Sequence, residues 1–396
     1  MLISSELRTA LTAATEDEIL FDLAAVDTGL ARLLRQLPGV EVRFAVKACP
    51  VDEVLEVLAR GGAGFDAASP HEIAQALRTG GDARLIHYGN TVKSDQDIAA
   101  AHRMGVREFA TDSVPDVRAI AAHAPGARVF CRLATTGAGA LWPLNGKHGC
   151  SPQDAATVLE TARAYGLTPS GLSLHVGSQQ MDPGAWRSAV TALTEAIAVL
   201  RERGIHLDHV NLGGGLPALG YRDRQGKPLR PDLDGILAEL RDGIRRLRLA
   251  SARPLRFVLE PGRHLVADHG VIRARVVRLT ERQQSDGKRR HWLYLSCGRF
   301  NGLYEMDQVQ YPLVFPTHRG GPTVPAVIAG PTCDSDDAYA AAHPVPVPAA
   351  VTSGDPVWIL TAGAYSVSYL TSGFNGFPPL PHRAVRAAVL DEAGSR

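Results

Sequence analysis

Lysine is scarce in this 396-residue chain: of 42 basic residues, only Lys47, Lys93, Lys147, Lys227 and Lys288 are lysines. Where a positive charge is enough, arginine stands instead. Cysteine is also sparse, and the five cysteines, Cys49, Cys131, Cys150, Cys297 and Cys333, show no C-x-x-C spacing. An odd number without that spacing argues against a disulfide framework and a zinc site, so five free thiols and no metal are expected. No apolar run reaches membrane-spanning length, and the start "MLISSELRTALTAATEDE" lacks a basic head followed by an apolar block. Neither a membrane span nor a secretory leader is expected, and the cytoplasm is the expected location. A net charge of +1 gives no case for a nucleic-acid or acidic-membrane partner.

Lys93, Lys147, Lys227 and Lys288 sit among turn-forming residues and are expected to be solvated. Lys47 alone follows an apolar run, "VEVRFAVKACP". Arginine cannot lose its proton in a protein, whereas a desolvated lysine amine can, which makes Lys47 a candidate Schiff-base nucleophile. From this stretch alone the alternative stays open: a lysine leaving a strand end for water.

From about residue 18 to 265, short β-rich runs alternate with amphipathic helical stretches such as Val51–Arg60, Pro70–Arg78, Asp95–Arg103, Pro152–Ala164 and Trp186–Arg203. That alternation predicts a parallel sheet, and the number of units favours a (β/α)₈ barrel over an open doubly wound sheet. After about residue 268, strands separated by turns predict a second, mostly antiparallel β domain. The expected division is therefore an α/β barrel over 22–268 and a β-rich domain made of 1–21 and 269–396. The Pro-dense "HPVPVPAAVTSGDP" reads as a surface loop.

In a barrel of this kind chemistry sits at the C-terminal strand ends. Period-two alternation puts Arg43, Ala45 and Lys47 on one face, and Ser173 with His175 on one face of "GLSLHVGSQ". The turn "NLGGGLP" carries Gly213, Gly214 and Gly215, which can present backbone N–H groups to an anion or simply form a tight turn. A dinucleotide fingerprint is rejected there, because Pro217 and an irregular stretch follow where a helix should begin. "VLEPGRHLV" offers a second anion site at Gly262 and Arg263 and adds Glu260. A phosphate needs no carboxylate but a pyridinium nitrogen does; the other reading of Glu260 is a salt bridge to Arg263. "AGPTCDSDD" gathers Cys333, Asp334, Asp336 and Asp337 without the spacing of a calcium loop.

A reactive lysine, two phosphate-cradling turns and a carboxylate for a ring nitrogen are what pyridoxal phosphate (PLP) requires. With "FAVKACP", "GFDAASPHEI", "HYGNTVKS", "SLHVGSQ", "NLGGGLP", "EPGR", "GRFNGLYEMDQVQYPL", "GPTCDSDD" and "GFNGFPPL" in order, the chain resembles the group IV PLP-dependent amino-acid decarboxylases of the alanine-racemase fold type, most of all the bacterial ornithine/lysine kind. The resemblance implies that Lys47 holds PLP covalently, His175 stacks on its ring and Glu260 contacts the pyridine nitrogen. It implies that Ser178, Gly214, Gly215, Gly262, Arg263 and Tyr365 hold the phosphate, while Asp66, Glu72 and Arg132 line the site. It implies a homodimer in which "GPTCDSDD" comes from the partner, with Cys333 protonating the product carbon. Asp307 and Asp334 would meet the distal ammonium of a diamino acid, with Tyr304 and Phe374 also at the substrate.

The expected activity is decarboxylation of a basic L-amino acid, L-ornithine to putrescine first and L-lysine to cadaverine second. Diaminopimelate decarboxylase is the nearest alternative, but its pattern carries a glutamate after the cysteine, where Asp334 stands here. A decarboxylase for an unusual amino acid, a racemase and a non-catalytic relative are further alternatives. Cys49 stands where asparagine is common, and Ser296 with Cys297 where an acidic residue is common.

Overall fold

The computed structural model describes residues 3–285 and 287–386; residues 387–396 of the expected β-rich segment, with 1, 2 and 286, lie outside them. The chain divides into two units: 29–217 with 230–264, and 1–28 with 218–229 and 265–396.

The first unit is a closed barrel of eight strands. Around it run His209–Asn211, Arg256–Leu259, Val40–Ala45, Gly64–Ala67, Ile86–Tyr88, Glu108–Thr111, Arg128–Arg132 and Thr168–Ser173, every neighbouring pair parallel. Parallel strands are covered on both faces, which is why Phe44, Phe65, Ile86, Phe109, Val129, Leu172, Val210 and Phe257 are all buried. Three of the intervening helices start on serine caps: Ser69, Ser94 and Ser151 accept the amide N–H of Glu72, Asp97 and Asp154. Helix Asp52–Arg60 turns Val54, Leu55, Val57 and Leu58 inward, and helix Gly184–Glu202 buries Trp186, Val190, Leu193 and Leu200.

The barrel interior is not wholly apolar. Arg43, His87, Glu108 and His209 come from four different strands and are all buried. Arg43 NH1 lies 2.6 Å from Glu108 Oε2 and 2.9 Å from His87 Nδ1. Strand Val40–Ala45 neighbours neither of the strands that carry these partners, so the three side chains meet across the interior.

The second unit is a mixed sheet in which most pairs are antiparallel. Gly270–Gln283 is its long central strand, paired with Arg289–Leu295, Pro356–Ile359 and Glu18–Asp22. Parallel pairing occurs between Arg289–Leu295 and Thr323–Ala329 and between Glu18–Asp22 and His382–Val385. Helix Ser5–Ala13 sets Leu7 and Leu11 into a cluster with Leu20, Val271, Trp358 and Leu360.

Three expectations are corrected. The Pro-dense stretch is not all loop: Val345–Pro348 is an edge strand in register with Thr323–Ala326. Proline lacks a donor, so it is tolerated where its backbone nitrogen faces away from the ladder at a sheet edge. Lys93 is not solvated. Its fully buried ammonium donates to the carbonyls of Asn90 (3.0 Å) and Ala110 (2.7 Å) and to Asp116 Oδ2 (2.8 Å). Finally, the span 22–268 is interrupted, because Ala218–Leu229 groups with the strand-rich unit. Leu219 and Gly220 donate their N–H groups to the Asp268 carboxylate, and Arg222 bridges to Gln310.

Candidate active site

The strand Val40–Ala45 ends in a short 3₁₀ turn, Val46–Ala48, and Lys47 leaves from that turn. Its side chain is 50% exposed, with Nζ 3.5 Å from Asp66 Oδ2. Asp66 ends the next barrel region and is buried, its other oxygen 3.1 Å from His87 Nε2. Burial works against the Asp66 carboxylate, but the Lys47 charge and the His87 hydrogen bond more than compensate and hold its pKa well below the usual range. A side chain at Gly89 would strike Asp66 Oδ1, so glycine there leaves the carboxylate its room. Glu72 accepts the Ala68 N–H at 2.6 Å, and burial raises its pKa.

Glu260 follows strand Arg256–Leu259. Its Oε1 lies 2.9 Å from His87 Nε2 and 2.5 Å from Asn211 Nδ2, while its own N–H donates to the Gly213 carbonyl at 2.8 Å. The glycine turn is therefore tied to the carboxylate. Gly213 has φ +70°, and a Cβ there would run into the Leu174 carbonyl; a Cβ on Gly214 would meet His175 Nε2 at 2.9 Å. Only a bare backbone fits beside the imidazole.

His175 lies just past the end of strand Thr168–Ser173. Its Nδ1 accepts the Gly177 N–H at 3.1 Å, which leaves the proton of the neutral ring on Nε2. Burial, then the Arg132 and Lys47 charges, lowers its pKa to about 3. The ring is neutral at working pH and can lie against an electron-poor ring without adding charge to it.

Beside the glycine turn, Gln180 N–H donates to the Gly215 carbonyl at 3.0 Å. Buried Arg263 donates to Ser178 Oγ at 3.2 Å, and its guanidinium stacks 4.4 Å from the Trp142 ring centre. Gly262 packs where a Cβ would meet Ala48 Cβ at 2.8 Å. A guanidinium, a hydroxyl and bare backbone therefore converge, the donor set that a phosphate requires.

Lys47, Asp66, His175, Ser178, Gly214, Gly215, Glu260, Gly262 and Arg263 thus gather at one end of the barrel, with Arg132 acting through its charge on His175. Their chemistry fits PLP: an amine that can react with an aldehyde, an anion cradle, and a carboxylate of the kind a pyridinium nitrogen requires. Asp66, His87 and Glu260 present ligand atoms within 4.8 Å of one another. With His87 Nδ1 facing an arginine donor, Nε2 of the neutral ring carries the proton and has no lone pair for a cation.

The remaining expected residues belong to the strand-rich unit. Tyr365, with φ +63°, stacks on Tyr369 at 5.3 Å, and Tyr304 packs on the same Tyr369 at 4.5 Å. Exposed Cys333 donates its N–H to Asn375 Oδ1 at 2.9 Å, and the neighbouring Phe374 ring lies 4.7 Å from Phe300. Asp334 is exposed, whereas Asp337 is buried and structural, accepting from Thr332 and from the Arg299 N–H. Asp307 borders a cavity of about 600 Å³ together with Arg224, Gln225, Met306 and His343.

Sequence reading passed over Asn211, Trp142 and His87. A lone histidine in the apolar run "RLIHY" was the one available signal.

Residues 23–267 match the family model described as "Pyridoxal-dependent decarboxylase, pyridoxal binding domain". The chain belongs to this family. In this decarboxylase the matched span takes in all eight strands of the barrel. It is 29% identical over 379 residues to the lysine/ornithine decarboxylase of Selenomonas ruminantium, covering 95% of this chain and 91% of that one. It is 30% identical to the ornithine decarboxylase of Caenorhabditis elegans, covering 88% and 82%. The crystal structure of the Vibrio vulnificus lysine/ornithine decarboxylase with putrescine superposes with a TM-score of 0.83 at 27% identity, covering 97% of this chain and 99% of that one. Among the described residues no helix is long and apolar enough to cross a membrane.

Proposed function

We propose that this PLP-dependent decarboxylase acts on a basic L-amino acid, L-ornithine first and L-lysine second, as a cytoplasmic homodimer with shared active sites. The observation that carries the reading is the pair of exposed carboxylates, Asp307 and Asp334, in a chain whose relatives include lysine/ornithine decarboxylases. A distal ammonium taken partly out of water needs an anionic partner, and leaving it unpaired is unfavourable.

When bound, PLP supplies the electron sink for the pair left behind by CO₂. Lys47 supplies the amine that anchors the cofactor and later releases the product. Glu260 would meet the ring nitrogen and keep it protonated, since a close carboxylate favours the charged form. His175 offers a neutral face to the ring. Ser178, Gly214, Gly215, Gly262, Arg263 and Tyr365 would hold and neutralise the phosphate end, Arg132 would line the site beside His175, and Asp66 keeps the Lys47 amine in place. Cys333 of a second copy delivers a proton to the α-carbon, and Asp307 and Asp334, one from each copy, bracket the distal ammonium near Tyr304 and Phe374.

A second reading has one supporting observation: the chain is 27% identical over 348 residues to the diaminopimelate decarboxylase of Zymomonas mobilis. CO₂ release from L-ornithine, L-lysine, L-arginine, meso-diaminopimelate and their enantiomers by the PLP-loaded protein separates the two. The proposal expects L-ornithine and L-lysine to be turned over. Preference for meso-diaminopimelate would replace it.

A further inference from the structure

The carboxylate assigned to the ring nitrogen is held from inside the barrel by a histidine that no role above requires. His87 is the middle residue of strand Ile86–Tyr88 and is 1% exposed. Its Nε2 lies 2.9 Å from Glu260 Oε1 and 3.1 Å from Asp66 Oδ1. Its Nδ1 lies 2.9 Å from Arg43 NH1. A guanidinium nitrogen has hydrogens and no acceptor lone pair, and arginine does not deprotonate, so Nδ1 must accept. The same NH1 directs its other hydrogen to Glu108 Oε2 at 2.6 Å. Both hydrogens are thereby committed, and the imidazole proton is fixed on Nε2.

That proton has two carboxylate oxygens in reach. One belongs to Glu260; the other belongs to Asp66, whose second oxygen faces Lys47. The groups packed around the ring are therefore Arg43 from strand Val40–Ala45, Asp66 from Gly64–Ala67, Glu108 from Glu108–Thr111 and Glu260 after Arg256–Leu259. Strand Arg128–Arg132 contributes the Phe130 ring, 5.2 Å away. The Glu260 carboxylate receives two side-chain contacts here, from His87 Nε2 and from Asn211 Nδ2, and these fix its orientation.

We propose that His87 is a positioning residue for the cofactor: through one Nε2 proton, oriented by Arg43, it holds the Glu260 carboxylate in place for the ring nitrogen and couples it to Asp66 and Lys47. This rests on Glu260 being the partner of the ring nitrogen. Two consequences follow. Removing the Nε2 donor weakens cofactor binding through the loss of its contacts to Glu260 and Asp66. Acid reaches the same end by another route, because a second proton on the ring lands on Nδ1, sets N–H against the Arg43 N–H and breaks that contact.

The test uses full-length protein reconstituted with PLP, reading the cofactor dissociation constant and the pH dependence of its visible absorption, with far-UV circular dichroism to verify folding. H87L should weaken PLP binding about ten- to hundredfold, the size of a lost hydrogen bond to a charged group, and shift the pH profile of the absorption. H87Q, whose amide N–H stands near Nε2, should recover most of the affinity. H87N, whose amide stands near Nδ1, should not, and it serves as the test should H87L fail to fold. E260Q should match H87L, and the double variant should be no worse than E260Q alone, because both changes remove one unit of interaction. If E260Q leaves affinity and spectrum unchanged, the assignment of Glu260 falls and the proposal with it. If E260Q perturbs both while H87L and H87N behave as wild type, or if the effects simply add, Glu260 keeps its role and the proposal for His87 is overturned.

Discussion

Asn211 joins Glu260 to the glycine turn: its Nδ2 donates to Glu260 Oε1 at 2.5 Å while its Oδ1 accepts the Gly213 N–H at 2.9 Å. One fully buried side chain thus fixes the Glu260 carboxylate relative to the glycine turn. Asn211→Ala should weaken PLP binding about tenfold or more. Asn211→Asp should weaken it further, since it places a second carboxylate against Glu260 in a buried site. Titration of the apo-protein with PLP checks both, and an unchanged dissociation constant would separate the turn from the carboxylate.

The buried Lys93–Asp116 pair makes a prediction about stability rather than catalysis. Lys93→Met leaves Asp116 buried without its cation and should cost about 3–5 kcal/mol in urea unfolding. Lys93→Met with Asp116→Leu should recover most of that loss, since an apolar pair of similar size needs no desolvation of charge. Loss in the double variant equal to the single one would assign the effect to the two carbonyl contacts instead.

Glu108 contributes to the response to acid. Burial alone would raise its pKa, but Arg43 first and then His209 pull it down to about 2. A carboxylate whose pKa is depressed on folding adds stability above its unfolded value, and that stability is lost as pH falls through the folded one. The window therefore runs from the ordinary value of 4.5 down to about 2, and the contribution is on the order of 3 kcal/mol. Glu108→Gln should be less stable at neutral pH and should show a flatter acid profile in that window. An unaltered profile would place the acid sensitivity elsewhere.

Substrate recognition is tested at Asp334. In the PLP-loaded enzyme, Asp334→Ala should lower kcat/KM for L-ornithine about tenfold or more while leaving the PLP dissociation constant unchanged. Equal loss of both would make the aspartate structural.

The barrel was legible because parallel strands buried on both faces leave apolar runs such as "VRFAV", and because serine caps mark helix starts before Pro70, Asp95 and Pro152. Lys47 stood out for a related reason, a charge directly after an apolar run. Lys93 looked the same as any turn lysine, because its burial is made by Asp116 and the Ala110 carbonyl, distant in the chain. His87 shows the same limit more sharply. Period two tells which face a residue occupies, whereas the meaning of His87 depends on Arg43, Asp66, Glu108 and Glu260 arriving from four other segments. Proline composition misled for a physical reason as well, since Val345–Pro348 needs few donors at a sheet edge. Cys49, beside Lys47, is buried and its thiol pushed far up by burial, which makes it a packing residue and not a reactive one.

The central claim is that, of the five lysines, Lys47 carries the cofactor. Borohydride reduction of the PLP-loaded protein followed by peptide mapping tests it most directly. The account predicts a yellow protein and a single label on Lys47; a label on another lysine, or a colourless protein that PLP cannot reconstitute, would contradict it.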